Sequence, residues 1–352
     1  MISLPSIKQI VGSYNIRYDK LMELIPTYFA GSDATEINLY IDITTIIKRC
    51  SCEVSDTKDK DLILVSSVIN MCAHYRQFFK SRLGVYANIF IVLSGMTDTY
   101  NRKFVMDYKN SPQQVGSCDL NMINRSCDYL TLITKYIENV YFVQTAYEAG
   151  VAIYSLINSK TARCQNFPDI VLTKDIYNYQ LASTGAAILR PKKSNMGDVS
   201  YIFGDTDAVS IYLLERKVLS VETTLTSSAL PCIMALTRVP ERHIKSIKSI
   251  PVVIKGLNSL VSKGLLTSNT NDIKYICKML NEEGIKTNDD EIFWRYSAIS
   301  IEDQFIKLSS GMSDLGSFSI CTWDPVNLYD PESLKNLNNN EFMHFPLDIM
   351  AL

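Results

Sequence analysis

Val140-Tyr141-Phe142-Val143-Gln144-Thr145-Ala146-Tyr147-Glu148-Ala149-Gly150-Val151 reads as an apolar strand that turns over into a helix opening on a glutamate. Val140 to Val143 is β-branched and aromatic, the composition of a strand covered on both faces. The same change of period recurs on either side. Ile37 to Thr44 is a short apolar strand carrying one acid, Asp42. Lys58 to Asp61 open a helix that runs to about Arg82 and ends at Gly84. Val85 to Leu93 is strand-like again, and so is 168–173. Ahead of these, Ser3 to about Phe29 reads as a helix with Pro5 in its first turn, broken at Gly31-Ser32-Asp33. Strands alternating with helices predict an α/β fold, a mostly parallel central sheet with helices on both faces.

The composition supports a packed body. At 352 residues with 47% hydrophobic and 20% charged residues, a large core is available and global disorder is excluded. The 35 basic residues against 37 acidic ones give −2, which excludes a protein that coats nucleic acid indiscriminately but leaves room for a local basic groove. The nine cysteines show no CxxC spacing, and Cys50-Ser51-Cys52 is the one close pair. With His74, His243 and His344 scattered, reduced buried thiols explain the cysteines better than zinc does. The N-terminus lacks the basic and apolar regions of a signal peptide, and no apolar run reaches the ~20 residues of a membrane span. An intracellular protein, cytoplasmic or viral and not secreted, with no membrane partner, is the expectation.

Ligands of parallel sheets sit beyond the carboxyl ends of the strands, so the acids there matter most. Asp42 lies near the end of the first strand, Glu148 opens the helix after Val140 to Val143, and Asp175 follows Ile170-Val171-Leu172-Thr173-Lys174. The spacing predicts that all three share one edge. Each is also a residue type favoured at a helix N-terminus as a cap, and that reading stands beside the first.

Cations gather in two places. Tyr100 to Lys109 places Arg102, Lys103 and Lys109 among tyrosines, a pattern suited to phosphate contact and base stacking, or simply to a solvated helix face. From Arg238 to Lys263 there are six Lys/Arg, including Lys245, Lys248 and Lys255, against one acid, Glu241. Pro251 and Gly256 punctuate this window into two helical stretches. Lys286 to Leu352 is the opposite, with four Lys/Arg against eleven Asp/Glu, a difference of −7. It reads as loop-rich around Trp323-Asp324-Pro325 and Asp330-Pro331, and its charge suits a protein partner.

In this order the pieces resemble the flap endonuclease/5′-exonuclease family, a branch of the PIN-like nucleases, from about Ile37 to Leu266. The matches are Leu39-Tyr40-Ile41-Asp42; Ile91-Val92-Leu93-Ser94-Gly95 followed by Tyr100 to Lys109; Tyr147-Glu148-Ala149; Leu172-Thr173-Lys174-Asp175 with Gln180-Leu181; and Ala235 to Leu266, similar to the helix–hairpin–helix region that grips duplex DNA. In that family a cluster of acids holds two divalent metals for phosphodiester cleavage. Carried over residue by residue, this chain keeps Asp42, Glu148 and Asp175 as catalytic and metal-binding acids. Where the family has further acids it has Ser94, Gly150, Val151 and Thr173. In the hairpin, Pro251 has no backbone N–H to offer a phosphate.

The resemblance therefore implies one Mg2+ or Mn2+ ion at most. It implies a non-catalytic or weakly active subunit that binds branched DNA or a single-strand/duplex junction, with RNA not excluded, in replication, repair or a viral complex. Arg102, Lys103, Lys109 and Arg125 are expected to meet phosphates under an arch, and Lys245, Lys248 and Lys255 to track a duplex. An active magnesium-dependent structure-specific 5′ nuclease and a purely structural interaction protein are the alternatives. The expected organisation is a helical extension over 1–35, a PIN-like core over 36–225 with its arch at about 96–127, a helix–hairpin–helix-like region over 226–285 and an acidic extension over 286–352.

Overall fold

In the computed structural model, residues 36–44, 60–93, 120–145, 148–158, 167–194, 197–218, 221–237, 247–287 and 289–309 are described. The expected N-terminal helix, Ser94, the cationic segment Tyr100 to Lys109, Lys245 and the tail beyond Ser309 lie outside the described residues.

Six strands form one sheet: β1 (Glu36–Asp42), β2 (Tyr86–Leu93), β3 (Val140–Gln144), β4 (Asp169–Leu172), β5 (Ala187–Ser194) and β6 (Gly197–Phe203), in the order β3-β2-β1-β4-β5-β6. The first five run parallel and β6 returns antiparallel on β5. β1, β2 and β4 are buried almost end to end, which is why they read as unbroken apolar runs instead of alternating ones. The closing β5–β6 hairpin was not expected from the sequence, because its cationic outer half (Arg190-Pro191-Lys192-Lys193) hides the strand pattern that Ala187-Ile188-Leu189 begins.

The connecting helices are α1 (Lys60–Leu83), α2 (Leu120–Thr134) and α3 (Ala149–Asn158). Right-handed crossovers place α1 and α2 on one face of the sheet. The chain reverses direction between β3 and β4, so the same rule sends α3 to the other face. Gly84 ends α1 at φ 69°, its N–H donating to the Lys80 carbonyl at 3.2 Å while Val85 N–H donates to Phe79 at 3.4 Å. That left-handed turn is open to glycine at no steric cost.

After β4 comes a 3-10 helix, Ile176–Thr184, and after β6 come α4 (Asp205–Glu215), α5 (Leu230–Leu236), α6 (Ile250–Ser262), α7 (Ile273–Glu282), α8 (Asp289–Ile299) and α9 (Ile301–Ser309). Among the described residues α6 runs unbroken, which corrects the reading of Pro251 and Gly256 as punctuation. Pro251 occupies the first turn, where a missing N–H costs nothing. Gly256 is interior because a Cβ there would stand 2.5 Å from Ile285 Cδ1 and 2.9 Å from Leu280 Cδ2.

The loop-rich stretch expected around Trp323 and Asp330 lies outside the described residues, but the acidic segment that begins at Lys286 is helical through Ser309, with α8 packed on α5 and α9 on α3. Ile292, Ala298, Ile299 and Ile301 are buried at that junction, so the acids counted there are the outer faces of two packed helices.

Candidate functional site

The strand order reverses about β1: its neighbours β2 and β4 leave in opposite directions, and it is beyond the carboxyl ends of strands at such a switch point that sheets of this kind hold their ligands. Asp42 is the last residue of β1, and Thr173 to Asn178 lead from β4 into the 3-10 helix. Parallel pairing in register, Ile41 opposite Leu172, brings Asp42 and Thr173 to the same level.

Asp42 is 5% exposed, and its carboxylate is met by neutral donors. Oδ1 accepts the Thr44 N–H at 3.0 Å. Oδ2 accepts the Thr173 hydroxyl at 3.1 Å and the Asn178 carboxamide Nδ2 at 2.9 Å. The second hydrogen of that Nδ2 goes to Thr173 Oγ1, also at 2.9 Å. Thr173 Oγ1 in turn accepts the backbone N–H of Asp175 at 3.0 Å. Burial pushes the Asp42 carboxyl above its ordinary range and the charge of Asp175 pushes it further, while the hydrogen bonds from Thr44 and Thr173 pull the other way.

Asp175 caps the 3-10 helix, its Oδ1 accepting Tyr177 N–H at 3.0 Å and its carbonyl accepting Asn178 N–H at 3.1 Å. Because residues i and i+3 eclipse in a 3-10 turn, Asp175 and Asn178 come round to the same side. That spacing is the signal by which Asn178 could have been found in the sequence, and the sequence reading missed it.

Glu148 is buried at the start of α3, where its carbonyl accepts Val151 N–H at 3.0 Å and Ala152 N–H at 3.3 Å. The sheet thus brings Asp42 and Asp175 into electrostatic range of one another. Among the described residues, however, no group of three or more His, Cys, Asp or Glu side chains is placed to hold a metal ion. The donor chemistry at Asp42 does not fit a cation either. Three of the roughly four lone-pair positions of a carboxylate are taken, and an N–H group is aimed at the oxygen a cation would need. No chemical step is therefore derived through a metal.

Gly150 closes the site. A Cβ at this position would stand 2.3 Å from Asn178 Oδ1, 2.8 Å from Ile301 Cδ1 and 3.3 Å from Tyr177 Cε1. The start of α9 is fastened to the same spot. Gln180 donates to the Ile299 carbonyl at 3.1 Å and accepts the Ile301 N–H at 3.2 Å. Gln304 donates to the Tyr177 hydroxyl at 3.0 Å and to the Ala298 carbonyl at 2.8 Å. On the other flank Arg190 of β5 donates to the Lys174 carbonyl and pairs with Glu215 of α4 at 3.2 Å.

Of the expected phosphate contacts, Arg125 donates through Nε to Asp61 at 2.6 Å, a pair joining α2 to α1, while its side chain stays 51% exposed. Lys255 is exposed on α6, and Lys248 is half-buried just before it, its backbone N–H donating to the Leu236 carbonyl at 3.0 Å. Arg102, Lys103, Lys109 and Lys245 lie outside the described residues.

No protein-family model matches the chain, and no curated protein matches it in sequence. Its fold is similar to those of several solved nucleases. The catalytic core of Rad2 in complex with a DNA substrate shares 14% identity at a TM-score of 0.43, over 75% of this chain and 78% of that one. The zinc-bound 5′-exonuclease of bacteriophage T5 shares 11% identity at a TM-score of 0.43, over 77% and 97%. Human GEN1 in complex with Holliday junction DNA shares 14% identity at a TM-score of 0.38, over 81% and 73%. At these identities the likeness is one of fold and assigns no chemistry.

Proposed function

We propose that this protein is a non-catalytic subunit built on a flap-nuclease-like fold, one that binds branched DNA or a single-strand/duplex junction within a DNA-handling assembly. The observation that carries the reading is the state of Asp42. The carboxylate at the carboxyl end of the first strand is spent on Thr44, Thr173 and Asn178. Catalysis by metal-activated water needs several carboxylates facing open space. Here the space is filled by an amide and an aliphatic side chain.

The nucleic-acid part of the reading rests on cations. Lys255 stands exposed on α6, Lys248 lies just before that helix, and the resemblance of Ala235 to Leu266 to a duplex-gripping region includes both. Contacts of this kind set affinity and salt dependence and carry little sequence information.

The test is a gel shift with flap, nicked and single-stranded DNA across a salt series, with a cleavage assay in millimolar magnesium or manganese. A salt-sensitive shift on branched DNA without cleavage is expected. Replacing Lys248 and Lys255 together with alanine should flatten the log–log salt slope by about two units, each lost phosphate contact being worth roughly 0.9. Metal-dependent cleavage that vanishes in Asp42→Ala refutes the non-catalytic part. An absent shift at low salt refutes DNA binding and leaves a structural role.

A further inference from the structure

We infer that the carboxamide of Asn178, seated on Gly150, stands where a cation would face Asp42 and does the cation's electrostatic work, so that the crevice is held together without metal. The inference rests on the non-catalytic reading above and adds to it the residue responsible and the means.

The geometry is specific to an amide. Nδ2 has two hydrogens, and each has an acceptor at 2.9 Å, Asp42 Oδ2 and Thr173 Oγ1. Asn178 is 1% exposed, so neither bond is exchanged with solvent. Its Oδ1 is buried and accepts no hydrogen bond among the described residues. That oxygen lies instead 2.3 Å from where a Cβ of residue 150 would be. A glycine presents only a Cα–H in that direction, which is a weak donor to the oxygen. Turning the amide over would press its oxygen against the Asp42 carboxylate and its NH2 against the glycine. The observed orientation is thus dictated from both ends.

Gly150 and Asn178 are therefore one device. Any side chain at 150 evicts the amide, and without the amide a buried carboxylate is left short of donors. A cation could enter only if one of the two neutral donors on Asp42 Oδ2, the Asn178 amide or the Thr173 hydroxyl, were replaced by a carboxylate. In that case the new carboxylate would join Asp42 and Asp175, whose charge already acts on Asp42.

The test is thermal unfolding of the full chain with no nucleic acid present, in EDTA, magnesium chloride and manganese chloride. The wild-type Tm is expected to be the same in all three. Asn178→Asp should unfold at lower temperature in EDTA and regain stability with manganese, by about 5 °C when the cation exceeds its Kd a hundredfold. Thr173→Asp is made in parallel and is expected to respond in the same direction, so the test survives if one variant does not fold. A wild-type Tm that climbs with manganese overturns the inference, as does the lack of any cation response in both variants. Because DNA is absent, failure of the gel shift leaves this result standing, and failure here leaves DNA binding untouched.

Discussion

Gly150→Ala tests the tightest glycine contact among the described residues. In a helix this substitution ordinarily stabilises by about 0.5–1 kcal/mol, since glycine loses more backbone freedom on folding. Gly150 lies within α3 and is not among the residues of positive φ, so that gain applies here. Against it stands the added methyl, 2.3 Å from Asn178 Oδ1 and 2.8 Å from Ile301 Cδ1. The isoleucine methyl can turn aside. The amide cannot, because a shift of the ~1 Å needed for an ordinary contact stretches bonds of 2.9 Å to Asp42 and Thr173 beyond hydrogen-bonding range.

Overpacking of this kind costs roughly 1–3 kcal/mol, and losing a hydrogen bond to a charged group costs about 1.5–3 kcal/mol. After the helical gain is subtracted, a net loss of about 1.5–5.5 kcal/mol follows, or a fall in Tm of about 2–8 °C. Urea unfolding of the wild type, Gly150→Ala, Asn178→Ala and the double variant measures it. The double variant should be less destabilised than the sum of the singles, since the clash disappears with the amide. Gly256→Ala serves as the comparison. Its added Cβ meets only the Cδ ends of Ile285 and Leu280, which can rotate away, so its loss should be smaller. A neutral or stabilising Gly150→Ala, or additive singles, refutes the seat.

Two further outcomes follow from Asp42 and from the flank of β5. The Asp42 carboxyl is raised from its ordinary 3.8, chiefly by burial and next by the charge of Asp175. The folded state then holds the proton more tightly than the unfolded chain, so Asp42's contribution is fully present below the unfolded pKa and is lost as pH rises through the folded one. Unfolding free energies measured from about pH 4 to 8 should therefore fall more steeply with pH for the wild type than for Asp42→Asn, and parallel profiles would contradict this. On the β5 flank, Arg190 and Glu215 pair with side chains only 12% and 9% exposed. Glu215→Leu should cost about 3 kcal/mol by leaving the guanidinium uncompensated, while Arg190→Met combined with Glu215→Leu should recover part of it; equal losses in single and double variants would show the pair to be energetically idle.

The first four strands and α1 were legible because their periods are local properties. β1, β2, β3 and β4 are apolar runs bounded by turns, and α1 is stopped by a glycine in a left-handed turn. Parallel order then places the ends of those strands on one edge by topology alone. The β5–β6 hairpin and the helical state of Asp289 to Ser309 were not legible, because charge on an outer face outweighs the buried stripe when residues are only counted.

The crevice divides the same way. Asp42 and Asp175 could be named from sequence, since an acid at a strand end is a local pattern. That Asp42 is occupied by Asn178, that Oδ1 of this amide rests on Gly150, and that Ile301 arrives from more than a hundred residues away to cover it are facts of packing. From the sequence, the resemblance implied only that Gly150 stands where that family has an acid. Only the tertiary structure decided what fills the space that the missing side chain leaves, because a hydrogen bond between residues far apart in the chain exists only once the sheet has set them at contact distance.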